Sequence, residues 1–194
     1  MDTELVDTAA RIYCEHQLTD YRLAKLRAFE ALGCRPGTPL PDNAAVQAAI
    51  IDYQRLFGGE AYRQHLQAMR RTAVEAMKLL ADFSPRLVGG AVSGAVTPQH
   101  RVQLHAFADP QELVDLFLFD RGIPFVDGGR RYRDRNGRGL DIPLVQLEAD
   151  QVGVDIAVFP LDGLRQAPIS PLDNRPFRRL TREQVEALLS GPPA

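Results

Sequence analysis

The first part of the chain is patterned in steps of three and four. In residues 3–17, Leu5, Ala9, Ile12 and Tyr13 fall on one face, the spacing of a half-buried helix. Residues 19–32 repeat the pattern with Leu23, Leu26 and Phe29, open on the capping pair Thr19 and Asp20, and stop at Gly33. The proline- and glycine-rich run "GCRPGTPLPD" reads as a connector. A third helix is predicted from Asp42 or Asn43 to Phe57, with Val46, Ile50, Tyr53 and Phe57 as its stripe and Gly58–Gly59 as its stop. The longest runs from near Glu60 to Ala81, where Tyr62, Leu66, Met69, Ala73, Met77 and Leu80 share a face. These four stripes predict a helical region over residues 1–82.

At Pro85 the texture changes. "RLVGGAV" is short and β-like, "RVQLHAF" alternates, and "DPQELVDLFLFDRG" is a helix with an acidic start and a glycine stop. "IPFV", "RRYRD", "IPLVQLEA" and "VGVDIAVF" then read as four strands, the last two as a hairpin around Asp150 and Gln151. A proline-rich strap, "PLDGLRQAPISPLDNRPF", precedes a final helix from Thr181 with Glu183 and Glu186 in its first turns. The fold class is therefore α+β, or mixed α/β: a helical N-terminal region, then an α/β unit over residues 83–194, with the two also compatible with one compact body.

Composition narrows the function classes. The 194 residues are 45% hydrophobic and 25% charged, as in a globular chain with a core, and the net charge of -2 disfavours nucleic-acid binding over the whole surface. Cys14 and Cys34 lack metal-ligand spacing, which points to a reducing compartment. No apolar run reaches membrane-spanning length and the first residues are acidic, so neither signal peptide nor anchor is predicted and the expected location is cytoplasmic. The chain has no Walker loop, G-x-S-x-G elbow, H-E-x-x-H pair or kinase catalytic loop.

The stretch "VGGAVSGAVTPQHRVQLHAF" carries the candidate chemistry. A nucleotide-transfer site needs backbone that approaches phosphates closely, which favours glycine. It also needs carboxylates, usually three, around two magnesium ions. Asp-x-Asp on one strand supplies two of them, because alternate residues share a face. Gly89 and Gly90, the small-residue loop with Ser93 and Gly94, and the strand after it together resemble the signature of the polymerase-β-type nucleotidyltransferase superfamily. The resemblance covers residues 60–160. It implies Gly89, Gly90 and Ser93 as a phosphate cradle and Asp155, within an apolar run, as the third acid.

The first two acid positions hold Arg101 and Gln103. A neutral amide is a weak magnesium ligand, and a guanidinium is a permanent cation with no acceptor. The departure implies a catalytically impaired, nucleotidyltransferase-like protein that binds a nucleotide or a phosphate-bearing partner, with Arg101 where a metal would stand, paired with Asp155, with a phosphate, or with both. No metal site is predicted, and magnesium enters only if activity survives. In that case Asp155 is a metal ligand or base, and Arg101 and Gln103 are the remaining catalytic candidates. His105 shares the strand face of Arg101 and Gln103. Arg165 and Gln166, on the strap, are placed to meet a base or phosphate.

Residues 130–138 hold Arg130, Arg131, Arg133, Arg135 and Arg138 around Tyr132. They read as a finger for a nucleic-acid backbone, with Arg131, Arg133 and Arg135 on one face and a turn at Asn136-Gly137, or as a charged hairpin edge. Two other classes stay open: a protein-interaction or regulatory module with a filled cleft, and an active transferase that recruits Asp109 or Asp127.

Overall fold

The computed structural model describes residues 3–148 and 152–190. Among these, seven α-helices and a five-stranded mixed sheet make an α+β fold. Helices α1 (Thr3–Glu15), α2 (Tyr21–Ala31) and α3 (Asn43–Phe57) form an N-terminal layer closed around Leu5, Ala9, Tyr13, Ala28, Val46 and Ile50. Asp20 caps α2 by accepting from the amides of Arg22 (2.6 Å) and Leu23 (3.2 Å), and Asp42 caps α3 through Ala45 (2.6 Å). Gly58 closes α3, and Gly59, at φ +58°, opens the longest helix, α4 (Gly59–Leu79). The glycine pair predicted as a stop is thus a corner between two helices. A Cβ at Gly58 would fall 2.5 Å from the Gln54 carbonyl oxygen, so no other residue fits that corner as it stands.

The sheet comprises β1 (Arg86–Val88), β2 (Val102–Phe107), β3 (Val126–Arg133), β4 (Gly139–Leu147) and β5 (Val154–Phe159), in the order β1-β2-β5-β4-β3. Only β2 and β5 run parallel, with Gln103 in register with Asp155. Between β1 and β2 lies the one-turn helix α5 (Gly90–Ser93); α6 (Leu113–Asp120) and α7 (Arg182–Ser190) complete the set. One sheet face, with Leu104, Ala106, Val154 and Ile156, packs on Met69, Ala73 and Met77 of α4 and on α6 and α7. On the other face Phe107, Tyr132, Ile142 and Phe159 are covered by Phe177 of the strap. The strap also reaches both sheet edges: Ile169 donates to the Arg133 carbonyl of β3 (2.8 Å), and Leu87 of β1 exchanges two 2.9 Å bonds with Leu180.

Two local expectations need correction. "IPFV" is not a strand of its own. The Ile123 amide bonds back to Leu118 O (3.0 Å) to end α6, Pro124 has no donor, and one strand then begins at Val126. Arg135 does not share a strand face with Arg131 and Arg133. It lies in the β3–β4 turn, where Asp134 Oδ1 accepts from the amides of Asn136 and Arg138 (2.8 Å each) and Gly137 adopts φ +80°. Asp150 and Gln151, the expected hairpin turn, lie outside the described residues, although β4 and β5 are antiparallel neighbours. Pro143 stands inside β4 because the β5 ladder spans only Leu144 to Leu147, so nothing on that side needs its missing amide hydrogen. Among the described residues no helix is long and apolar enough to cross a membrane.

Candidate functional site

The end of β1, the α5 loop, β2 and β5 meet the N-terminal layer and the strap around an open cleft of about 550 Å³. Gly89 turns the chain out of β1 at φ +75°, and a Cβ there would come within 2.6 Å of Gln103 Oε1. The backbone conformation therefore requires glycine, while the Gln103 amide would have to swing aside for any side chain. Gly90 is closed in from the other side, since a Cβ would sit 2.8 Å from both Ala95 O and Val96 Cγ1. Ser93 Oγ accepts from the Ala95 amide (3.3 Å) and is committed to holding the loop.

Asp155, 5% exposed, lies at the cleft floor. Its Oδ1 accepts from Arg101 Nε (2.6 Å) and Gln146 Nε2 (3.0 Å), and its Oδ2 from Arg130 Nη2 (3.2 Å). The Arg101 guanidinium also donates to Glu148 Oε1 (2.7 Å) and the Leu147 carbonyl (2.8 Å). It lies flat against Gly153, where any Cβ would overlap it. Burial pulls the Arg101 pKa down, but the bonds to Asp155 and Glu148 outweigh burial and hold it above the ordinary arginine value. Arg178, exposed just past the strap, adds a third cation to the cleft, and Asp173 a second carboxylate.

These residues do not fit a two-magnesium centre. Magnesium demands hard oxygen ligands in octahedral array, and both oxygens of Asp155 already accept from cationic or amide donors. Among the described residues no group of three or more His, Cys, Asp or Glu side chains is placed to hold a metal ion.

The opposite wall belongs to the helices. Tyr13 and Tyr21 stack with ring centroids 5.3 Å apart and planes 11° from parallel. His100, beside them, accepts the Thr97 amide at Nδ1 (2.9 Å), so its neutral ring carries hydrogen on Nε2 and donates to Tyr13 Oη (2.9 Å). Burial lowers the His100 pKa to about 4. Asn43 Nδ2 donates to Pro171 O (2.8 Å), while its Oδ1 accepts from Lys25 (2.8 Å), tying strap to helices.

Of the residues singled out from sequence, Gly89, Gly90, Ser93, Arg101, Gln103 and Asp155 line this one cleft. His105, Arg165 and Gln166 do not. His105 shares the strand face of Gln103 but is fully buried among Tyr132, Phe159 and Phe177, and accepts from Arg179 Nε (3.0 Å). Burial, then the nearby Arg179 and Arg130 cations, push its pKa well below the ordinary histidine value. Arg165 and Gln166 are exposed just after a short 3-10 turn; the strap meets the cleft further on, at Ser170, Pro171, Leu172 and Asp173. Asp109 and Asp127 are also exposed and outside the cleft. Arg130 turns inward to Asp155, whereas Arg131 and Arg133 point outward. Its place two residues before buried Tyr132, hence on the same strand face, was the available signal for that inward turn. Nothing in the linear pattern marks Gln146, Gly153 or the helical wall.

No family model, curated protein or solved structure matches the chain.

Proposed function

We propose that the cleft binds a nucleotide or another phosphate-bearing ligand without two-magnesium chemistry, and that the chain is a nucleotidyltransferase-like protein with an altered active site. The observation that carries this reading is the convergence of Arg101 and Arg130 on Asp155 at the cleft floor, beside Gly89 and Gly90. Guanidinium forks match phosphate oxygens as well as they match a carboxylate. Arg101 and Arg130 are held by Asp155, with Glu148 also on Arg101, while Arg178 lines the cleft with no ion pair among the described residues. The family likeness draws support from the glycine pair at the end of β1 and from Asp155 on the parallel neighbour of the strand that holds Gln103. A regulatory module with a filled cleft is the weaker reading, because about 550 Å³ stays open.

The test is thermal stability of the full chain with ATP, CTP, GTP and UTP, each with and without magnesium. Stabilisation that does not depend on magnesium is the expected result. Stabilisation seen only with magnesium, or none with any nucleotide, would sink the proposal.

A further inference from the structure

The two walls of the cleft differ in kind. Every charged side chain that lines it comes from the sheet, the strap or the residues beside them: Arg101 just ahead of β2, Arg130 and Asp155 on strands, Asp173 on the strap and Arg178 just past it. The helical wall supplies only uncharged groups: Tyr13, Thr19, Tyr21, Asn43 and Gln47. A phosphate-bearing ligand that fills the space sets its charge against the arginines and leaves its neutral end to the helical wall. From this asymmetry we infer that the neutral end is a heteroaromatic ring, a nucleobase, stacked on Tyr21 of α2 and read by Gln47 of α3. The inference rests on the phosphate reading above and assigns the N-terminal helices the part of the ligand that the sheet does not hold.

Tyr21 is built as a platform. One face of its ring lies on Tyr13, and its half-buried side chain borders the cleft. The ring is held from both ends of the stack. Tyr21 Oη donates to Gln47 Oε1 (3.2 Å), and Tyr13, 1% exposed, is bonded to His100 (2.9 Å). A fixed aromatic ring loses little freedom when a second ring stacks on it, and such stacking tolerates any base.

Discrimination then falls to hydrogen-bonding groups beside the platform. Asn43 is committed on both sides of its amide, to Lys25 and to the strap. Gln47 accepts from Tyr21 through its oxygen, which leaves the amide NH2 to donate to a ring nitrogen or carbonyl. A cavity of about 550 Å³ lies within the range that holds drug-sized and nucleotide-sized ligands.

Calorimetric titration of the full chain without magnesium tests this, with inorganic tripolyphosphate and the four nucleoside triphosphates as probes. The unchanged chain is expected to bind the nucleotides more tightly than tripolyphosphate. Tyr21→Leu is expected to weaken nucleotide binding about tenfold or more while tripolyphosphate binding holds. Tyr21→Phe keeps the ring and most of the affinity, and Gln47→Leu reorders preference among the four bases. Equal affinity of the unchanged chain for tripolyphosphate and nucleotides would overturn the inference, as would equal weakening of both by Tyr21→Leu. Tripolyphosphate that binds while the ring adds nothing removes this inference alone; failure of both probes removes the phosphate reading with it.

Discussion

Gly153 and Arg101 fit together as a seat and its occupant: the guanidinium lies on the bare Cα of the glycine, in space that any side chain would need. Gly153→Ala therefore pushes the guanidinium out without removing its charge. The expected cost is about 1–3 kcal/mol, the ordinary range for overpacking. In an Arg101→Ala background the same substitution should cost almost nothing, because the clash is gone. Urea denaturation of both single variants and the double variant gives the coupling, expected to exceed about 1 kcal/mol. Additive effects would mean that the seat does not hold this side chain.

Removing the carboxylate is the harsher change. Asp155→Ala leaves Arg101 and Arg130 facing each other with no anion between them at the cleft floor. A destabilisation of about 3 kcal/mol is expected, because three hydrogen bonds to one buried carboxylate are lost together. It would appear as a lower denaturation midpoint at an unchanged denaturant slope.

Neighbouring arginines on β3 should behave differently. The Arg130 side chain is 35% exposed and bonded to Asp155, whereas that of Arg131 is 78% exposed and lies 3.9 Å from an equally open Asp141. Arg131→Ala should shift stability by no more than about 0.5 kcal/mol. Arg130→Ala should cost clearly more and weaken anion binding. Equal effects would show that the alternation of faces along β3 has been misassigned.

Acid should destabilise the fold. Burial holds His100 down to about 4 and His105 well below its ordinary value, while both take up protons near pH 6.5 once unfolded. The unfolded chain thus binds more protons below that pH, and stability falls as pH drops. Each histidine contributes up to about 1.4 kcal/mol per pH unit until its folded pKa is reached. Denaturation midpoints from pH 7 to pH 4.5 test this, and His100→Gln should flatten the profile.

Restoring acids should restore metal binding. Arg101→Asp with Gln103→Asp would place one new carboxylate just ahead of β2 and one on it, beside Asp155, which is in register with position 103. The unchanged chain should show no magnesium binding in a titration, and the double variant should show measurable affinity. No gain would mean that this strand does not correspond to the metal-binding strand of nucleotidyltransferases.

The parts legible in the sequence are those fixed by local spacing. The stripes Leu5–Ala9–Tyr13 and Met69–Ala73–Met77 predicted α1 and α4 because a helix repeats every 3.6 residues whatever it packs against. The pairing of Arg101 with Asp155 was within reach because a carboxylate inside an apolar strand needs a cation. Gly153 as the seat of Arg101 and the Tyr13–Tyr21 wall were not, since each depends on packing between segments far apart in the chain, and Gln146 meets Asp155 only through the β4–β5 register. The strap misled for a similar reason. Its polar start, Arg165 and Gln166, looked suited to a ligand, but the backbone pairing at Ile169 brings Ser170 and Pro171 to the cleft instead.

The sheet ends on β3, and among the described residues the strap pairs with that strand only at Arg133. The rest of its outer backbone is a ready template for another chain to add to, the usual start of edge-to-edge aggregation. Arg131 and Arg133 put like charges along it, so two copies that approach in register repel before their amides meet. Neutralising the outward pair, Arg131 and Arg133, would leave the fold intact and make concentrated solutions precipitate.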